Sequence, residues 1–163
     1  MFLLKADFEK EIKRINSLLN RILRSHEAKV RAYLGSSQLN IPNATWTRIK
    51  LNTVFYDTKG GFDTANNYYV IPVSGFYLAV ARVTWANIQA GRYIVSINDG
   101  SDRTIHEDQL STVNNYIAFS FSDILFLNKG SNVALYAYQN TGGNTPGILA
   151  GIARTFLALL LIE

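Results

Sequence analysis

The chain has 163 residues, enough for about one domain and an accessory element, with 16 Lys/Arg against 12 Asp/Glu and no cysteine. Without cysteine there is neither a disulfide framework nor a thiolate site, and abundant Gly and aromatic residues with sparse charge exclude a disordered chain. The net charge of +4 is uneven: residues 1–33 hold eight Lys/Arg and four Asp/Glu, leaving eight of each in residues 34–163, which fits a solvated helix face and not a nucleic-acid-binding patch.

Residues 5–33 are rich in Lys, Glu, Arg and Leu and hold no Gly or Pro, which predicts a helix. Phe8, Ile12, Ile15, Leu19, Ile22 and His26 recur at spacings of four and three, a heptad seam with Ile12, Leu19 and His26 at a and Phe8, Ile15 and Ile22 at d. Isoleucine at both positions favours three strands over two. So short a coiled coil is marginal alone, so a stalk over residues 1–34 is expected to depend on a larger assembly. His26 would sit near the axis of such a trimer, but Lys29 at the next d position marks the fraying end of the seam. Residues 35–45, with Gly35-Ser36-Ser37 and Asn40-Ile41-Pro42-Asn43, read as a hinge. Residues 46–163 then form the head domain.

From Trp46 onward the hydrophobic period falls from about 3.6 to 2. Strands are predicted at 47–56, 68–71, 75–85, 93–98, 103–106, 116–126, 133–138 and 154–163. Lys59-Gly60-Gly61, Pro72 and Gly75, Asn98-Asp99-Gly100 and Leu127-Asn128-Lys129-Gly130-Ser131 punctuate them as turns, and 139–147 is a polar loop. The last strand is apolar on both faces, Phe156, Ala158, Leu160 and Ile162 on one, Leu157, Leu159 and Leu161 on the other. A strand with a wet face alternates with polar residues, so one face of this strand belongs to the core and the other to an inter-subunit contact.

The chemistry of a catalyst is missing from the pattern. There is no HExxH, GxSxG or phosphate-loop spacing, and in a strand His106-Glu107-Asp108 point to alternate faces. Asn98-Asp99-Gly100-Ser101-Asp102 offers oxygen ligands without a closing bidentate acid, so it reads as a hairpin turn; no metal or cofactor is predicted. No stretch approaches the roughly 20 apolar residues that span a bilayer, and the first residues lack the pattern of a secretion signal, so a soluble protein made in a reducing cytoplasm is expected. Candidate binding groups fall in loops at 87–92, 99–108 and 140–145: Arg92, Tyr93, Asp99, Asp102, Arg103, Asn140 and Asn144, with Tyr116 and Tyr138 as further stacking surfaces, a mixture suited to sugars.

Tyr56-Asp57, then Gly60-Gly61-Phe62-Asp63, then Pro72-Val73-Ser74-Gly75-Phe76-Tyr77 follow one another in an order that resembles the globular head of complement C1q and its tumour-necrosis-factor-like relatives. Leu127 to Ser131 is similar to that family's Leu-x-x-Gly-Asp turn, with Ser131 where an acid is usual, and Phe156 to Leu161 is similar to its closing strand. The resemblance covers residues 46–162 and implies an all-β jelly-roll sandwich with three-fold association, in agreement with the isoleucine seam. Some relatives carry calcium near the trimer axis. The setting that fits best is a homotrimeric receptor-binding head of a bacteriophage tail fibre or baseplate, folded in the host cytoplasm and binding cell-surface polysaccharide with avidity, its stalk joining other tail or fibre proteins. A structural tip of a bacterial surface or spore filament is the alternative. A secreted host ligand would show a signal peptide and a collagen-like stalk, and neither is in the sequence.

Overall fold

A computed structural model describes residues 2–25, 28–100, 102–110, 114–143 and 145–162. In chain order it contains α1 (Phe2–Ser25), β1 (Lys29–Tyr33), β2 (Thr47–Arg48), β3 (Thr53–Asp57), β4 (Phe62–Asp63), β5 (Tyr68–Val70), β6 (Gly75–Ile88), β7 (Gly91–Asn98), β8 (Asp102–Leu110), β9 (Asn114–Leu127), β10 (Asn132–Asn140), β11 (Gly147–Ile148) and β12 (Phe156–Leu161). The strands form two six-stranded antiparallel sheets. In sheet I, β6 pairs with β9 on one edge and with β11 and β12 on the other, and β12 continues to β1 and then β3. In sheet II, β8, β7 and β10 run side by side, and the far edge of β10 takes β2 and β5, with β4 beyond. This is the expected jelly-roll sandwich with one N-terminal helix.

Alternation decides which side chains meet between the sheets. Ala79, Ala81, Val83 and Trp85 from β6 and Leu157, Leu159 and Leu161 from β12 face Tyr93, Val95 and Ile97 from β7 and Val133, Leu135 and Ala137 from β10, all buried. Trp85 meets Tyr93 edge to face at 5.0 Å. The motif residues of the sequence each have a local duty. The Asp57 carboxylate accepts hydrogen bonds from the backbone N–H groups of Lys59, Gly60 and Phe62, closing the Gly-rich turn, where a Cβ on Gly61 would lie 2.8 Å from the Val70 carbonyl. The Tyr77 hydroxyl donates to the Val73 carbonyl at 2.8 Å, which locks the Pro-x-x-Gly-x-Tyr corner.

Three expectations are corrected. The helix predicted over 5–33 ends at Ser25, and Lys29–Tyr33 is a strand of sheet I between β12 and β3. Val30, Ala32 and Leu34 alternate inward there, so burial in a ready-made slot between two strands overrides good helix formers. The head therefore takes in residues assigned to the stalk. Residues 35–45 are no hinge: Gln38 exchanges backbone hydrogen bonds with Ile148, the Ile41 N–H donates to the Pro146 carbonyl, Ala44 N–H to Gln139, and Ile41 is buried. Residues 47–56 are two strands in different sheets, because the chain crosses the sandwich between them and buries Ile49 and Leu51 on the way.

Three core tyrosines link stability to alkaline pH. Burial pushes the hydroxyls of Tyr69, Tyr77 and Tyr93 up from the ordinary value, with the Asp57 charge adding to the shift at Tyr69. A folded-state pKa raised above the unfolded value gives stability that is complete below the unfolded pKa, about 10, and is lost as pH rises from there through the higher folded values. Thermal unfolding followed between pH 8 and 12 should show the midpoint falling above about pH 10. Tyr69→Phe should flatten that fall without loss at neutral pH, since the Tyr69 hydroxyl is buried and has no partner among the described residues.

Candidate functional site

The two outer faces of the sandwich differ in chemistry. On the outer face of sheet II, β7 contributes Arg92, Ile94 and Ser96 and β10 contributes Asn140, Tyr138 and Tyr136 directly opposite them. Pairing of β2 with β10 then brings Thr47 and Arg48 alongside Ala137 and Tyr136. Trp46, just before β2, packs on Tyr138 at 5.4 Å and 47° and remains 40% exposed. Arg48 donates through Nε (3.0 Å) and Nη2 (2.7 Å) to the Tyr136 hydroxyl and through Nη1 to the Asn66 carbonyl (2.8 Å). Its guanidinium lies over the rings of both Tyr136 (5.4 Å) and Tyr68 (5.8 Å). The result is a strip of half-exposed aromatic rings, Trp46, Tyr138, Tyr136 and Tyr68, braced by one arginine.

At one end of this strip Arg92 and Glu107 form a bidentate ion pair across β7 and β8, with Nη2 to Oε2 at 2.8 Å. Each holds the other charged: the hydrogen bond to Arg92 pulls the Glu107 carboxyl below its usual range, and Glu107 raises Arg92. Across the sheet, on β4 and paired with Tyr68, the Asp63 carboxylate caps its own turn through Ala65 and Asn66 and is also held below the usual range, chiefly by the hydrogen bond from the Asn66 side chain.

The sequence-derived binding residues divide. Arg92 and Asn140 lie opposite one another at the start of β7 and the end of β10. Asp99 lies beyond the other end of β7, in the hairpin turn where the Gly100 N–H bonds the Asn98 side chain at 2.8 Å, so it shares no site with Arg92. Tyr93 is corrected: it points inward, fully buried, and its hydroxyl accepts from the Gln89 N–H (2.9 Å) and donates to the Gln89 carbonyl (3.1 Å). The expected loop over 99–108 is largely β8, whose backbone includes Asp102 and Arg103; their side chains, and Asn144, lie outside the described residues. His106 turns inward onto Phe119 (4.7 Å) while Glu107 turns outward, so no titratable cluster converges there. Among the described residues no three His, Asp or Glu side chains come together as metal ligands. Tyr116 is exposed on the far sheet. Trp46, Arg48, Tyr136 and Tyr68 were missed as a set; the signal for part of it was the alternation of Tyr136 and Tyr138 on the outward side of one strand.

The outer face of sheet I is apolar at the end where β6 begins and β9 finishes. Phe76, Ile124, Phe126, Leu160 and Ile162 are between 39% and 59% exposed, and Phe76 meets Phe126 edge to face at 5.3 Å. Leu157, Leu159 and Leu161 are core, whereas Phe156 is half-buried on the outward side of the same strand. On α1, Phe8, Ile12, Ile15 and Leu19 are exposed; the Ile22 side chain and His26 lie outside the described residues.

No protein-family model matches the chain. Among curated proteins it is 29% identical over 109 residues to the uncharacterised protein YqcC of Bacillus subtilis, covering 60% of this chain and 29% of YqcC, so it spans less than a third of that relative. Among solved structures, the globular domain of zebrafish complement 1qA has a TM-score of 0.60 at 17% identity, covering 84% of this chain and 98% of that one. Murine APRIL follows with 0.59 at 12% identity (82% and 98% covered), and the Eiger TNF of S. frugiperda with 0.56 at 11% (84% and 94% covered). The chain has the C1q/TNF-like jelly-roll fold.

Proposed function

We propose that this chain is the recognition head of a homotrimeric fibre of a bacteriophage tail or baseplate, with copies meeting through the outer face of sheet I and through α1, and cell-surface saccharide bound on the outer face of sheet II. The contrast between the two outer faces carries this reading. A contiguous exposed apolar face marks a contact surface, and a second copy of the same chain is the occupant favoured by the exposed isoleucine-rich seam of α1, whose composition suits three strands. The likeness to the C1q and TNF-like heads supports three-fold association, and the likeness to a Bacillus subtilis protein supports a bacterial setting. On sheet II, half-exposed rings can stack on the apolar faces of sugar rings while Arg48, Asn66 and Asn140 meet hydroxyl groups, an arrangement suited to binding and offering no nucleophile with a base. Three weak sites on one trimer act together through avidity.

Labelled protein bound to a panel of bacterial cells, with extracted wall polysaccharides as competitors, tests this. Strain-restricted binding should be abolished by one polysaccharide, and Trp46→Ala should weaken it about tenfold per site while leaving mass and circular dichroism unchanged. Unaltered binding by Trp46→Ala would move the site off this face. No binding to any cell by a confirmed trimer would favour the structural tip of a surface or spore filament.

A further inference from the structure

We propose that the outer face of sheet I also holds a site for a free tetrahedral oxyanion, phosphate or sulfate, built from Arg31, Arg82, Ser120 and Ser122. Strand pairing sets Arg82 on β6 opposite Ser120 on β9 and opposite Phe156 on β12. The next outward position, Val80, faces Ser122 and Ala158, and Ala158 in turn faces Arg31 on β1. The four polar residues and Phe156 line an open cavity of 340 Å³. Arg31 lies across the Phe156 ring, its guanidinium carbon 3.8 Å from the centroid, and its Nη2 donates to the Ile152 carbonyl at 2.8 Å. These contacts fix the guanidinium in place and leave its Nε–H buried without a partner among the described residues.

Arg82 is exposed, its side chain makes no hydrogen bond or ion pair with the described residues, and none of the described carboxylates lines the cavity. Two positive charges therefore stand close together uncompensated. A guanidinium presents parallel N–H donors whose spacing matches two oxygens of an oxyanion, and the two serine hydroxyls add neutral donors from the β9 wall. The cavity lies on the face assigned above to contact between copies. Closing that face removes two guanidiniums per copy from water with no carboxylate beside them, a costly step unless a counter-charge enters with them. An oxyanion in this cavity supplies it, so its binding strengthens association. That coupling rests on the three-copy reading; the anion site does not.

The full chain is titrated with inorganic phosphate in the low-millimolar range, ionic strength being held constant with chloride, and followed by calorimetry, thermal unfolding and light scattering on the same samples. Low concentrations keep the general stabilising effect of excluded salts out of the comparison. The expected result is saturable binding of no more than one phosphate per chain, a rise in Tm of about 3 °C, and affinity reduced at least tenfold in Arg82→Gln and measurably in Ser120→Ala. Both substitutions are at exposed positions and leave the core intact. Absence of saturable binding, or an identical response from Arg82→Gln, would overturn the site. Binding to a chain that scatters light as a monomer would support the site while removing the coupling and the three-copy contact; a trimer that binds no phosphate would overturn the site and the coupling and leave the three-copy contact standing.

Discussion

Replacing Leu159 by Asp is expected to abolish the folded head. Leu159 is 1% exposed, lies in the middle strand of sheet I opposite Val30 on one side and Ala79 on the other, and points between the sheets. The substitution forfeits about 1.5–3 kcal/mol of leucine burial and adds the cost of a carboxylate with no partner, several kcal/mol even after the group is protonated. A domain of this size has a total of about 5–15 kcal/mol to lose, so the variant should show no cooperative unfolding and little soluble yield. Leu159→Ala serves as the graded control, with a loss of about 2–5 kcal/mol and the fold retained. Native-like circular dichroism from the Asp variant would mean that the two sheets do not close over this strand.

The opposite dissociation of effects is expected from Ile124→Lys. Ile124 is 59% exposed on the outer face of sheet I, opposite Leu78 and beside Phe126, so a lysine there leaves the single-chain fold within about 0.5 kcal/mol of its original stability. In an assembly closed over this face the same lysine is buried among apolar groups of another copy, at about 2–5 kcal/mol for each site. The mass measured by light scattering should fall to that of one 18.2 kDa chain while the near-ultraviolet circular dichroism of the aromatic core of the head stays the same. A variant that remained trimeric would exclude this face from the contact and shift the weight to the seam of α1.

The head was legible where its determinants are local. The Asp57 carboxylate caps a turn within five residues of itself, and the Tyr77 hydroxyl reaches back four residues to Val73, so both leave a signature in consecutive sequence. β1 left a weaker one: Ala28, Lys29 and Arg31 suit a helix, and only pairing with β12, at the far end of the chain, makes the alternation of Val30 and Ala32 decisive. The crossing at Ile49 and Leu51 was hidden for a related reason, since an apolar alternation looks the same whether it stays in one sheet or passes between two. The binding strip was legible least, because Trp46, Arg48, Tyr68 and Tyr136 are gathered by the pairing of β2 and β5 onto β10. Arg92 and Glu107 are likewise separate polar residues in the sequence and partners only across a hairpin.

β12 is the strand through which β1 and β3 join β6. During synthesis sheet I cannot close until β12 has been made. β1 emerges first and then waits while everything up to Phe156–Leu161 is translated, on the order of ten seconds at about 5–20 residues per second. Throughout that interval the edge of β6 that β12 will occupy and the waiting edge of β1 are open. A message cut short before Phe156 yields a chain with two unpaired edges and an uncovered core, a product marked for aggregation or degradation. Completion of β12 thus acts as a checkpoint on the head: only chains that carry it close the face shared by β6, β12 and β1.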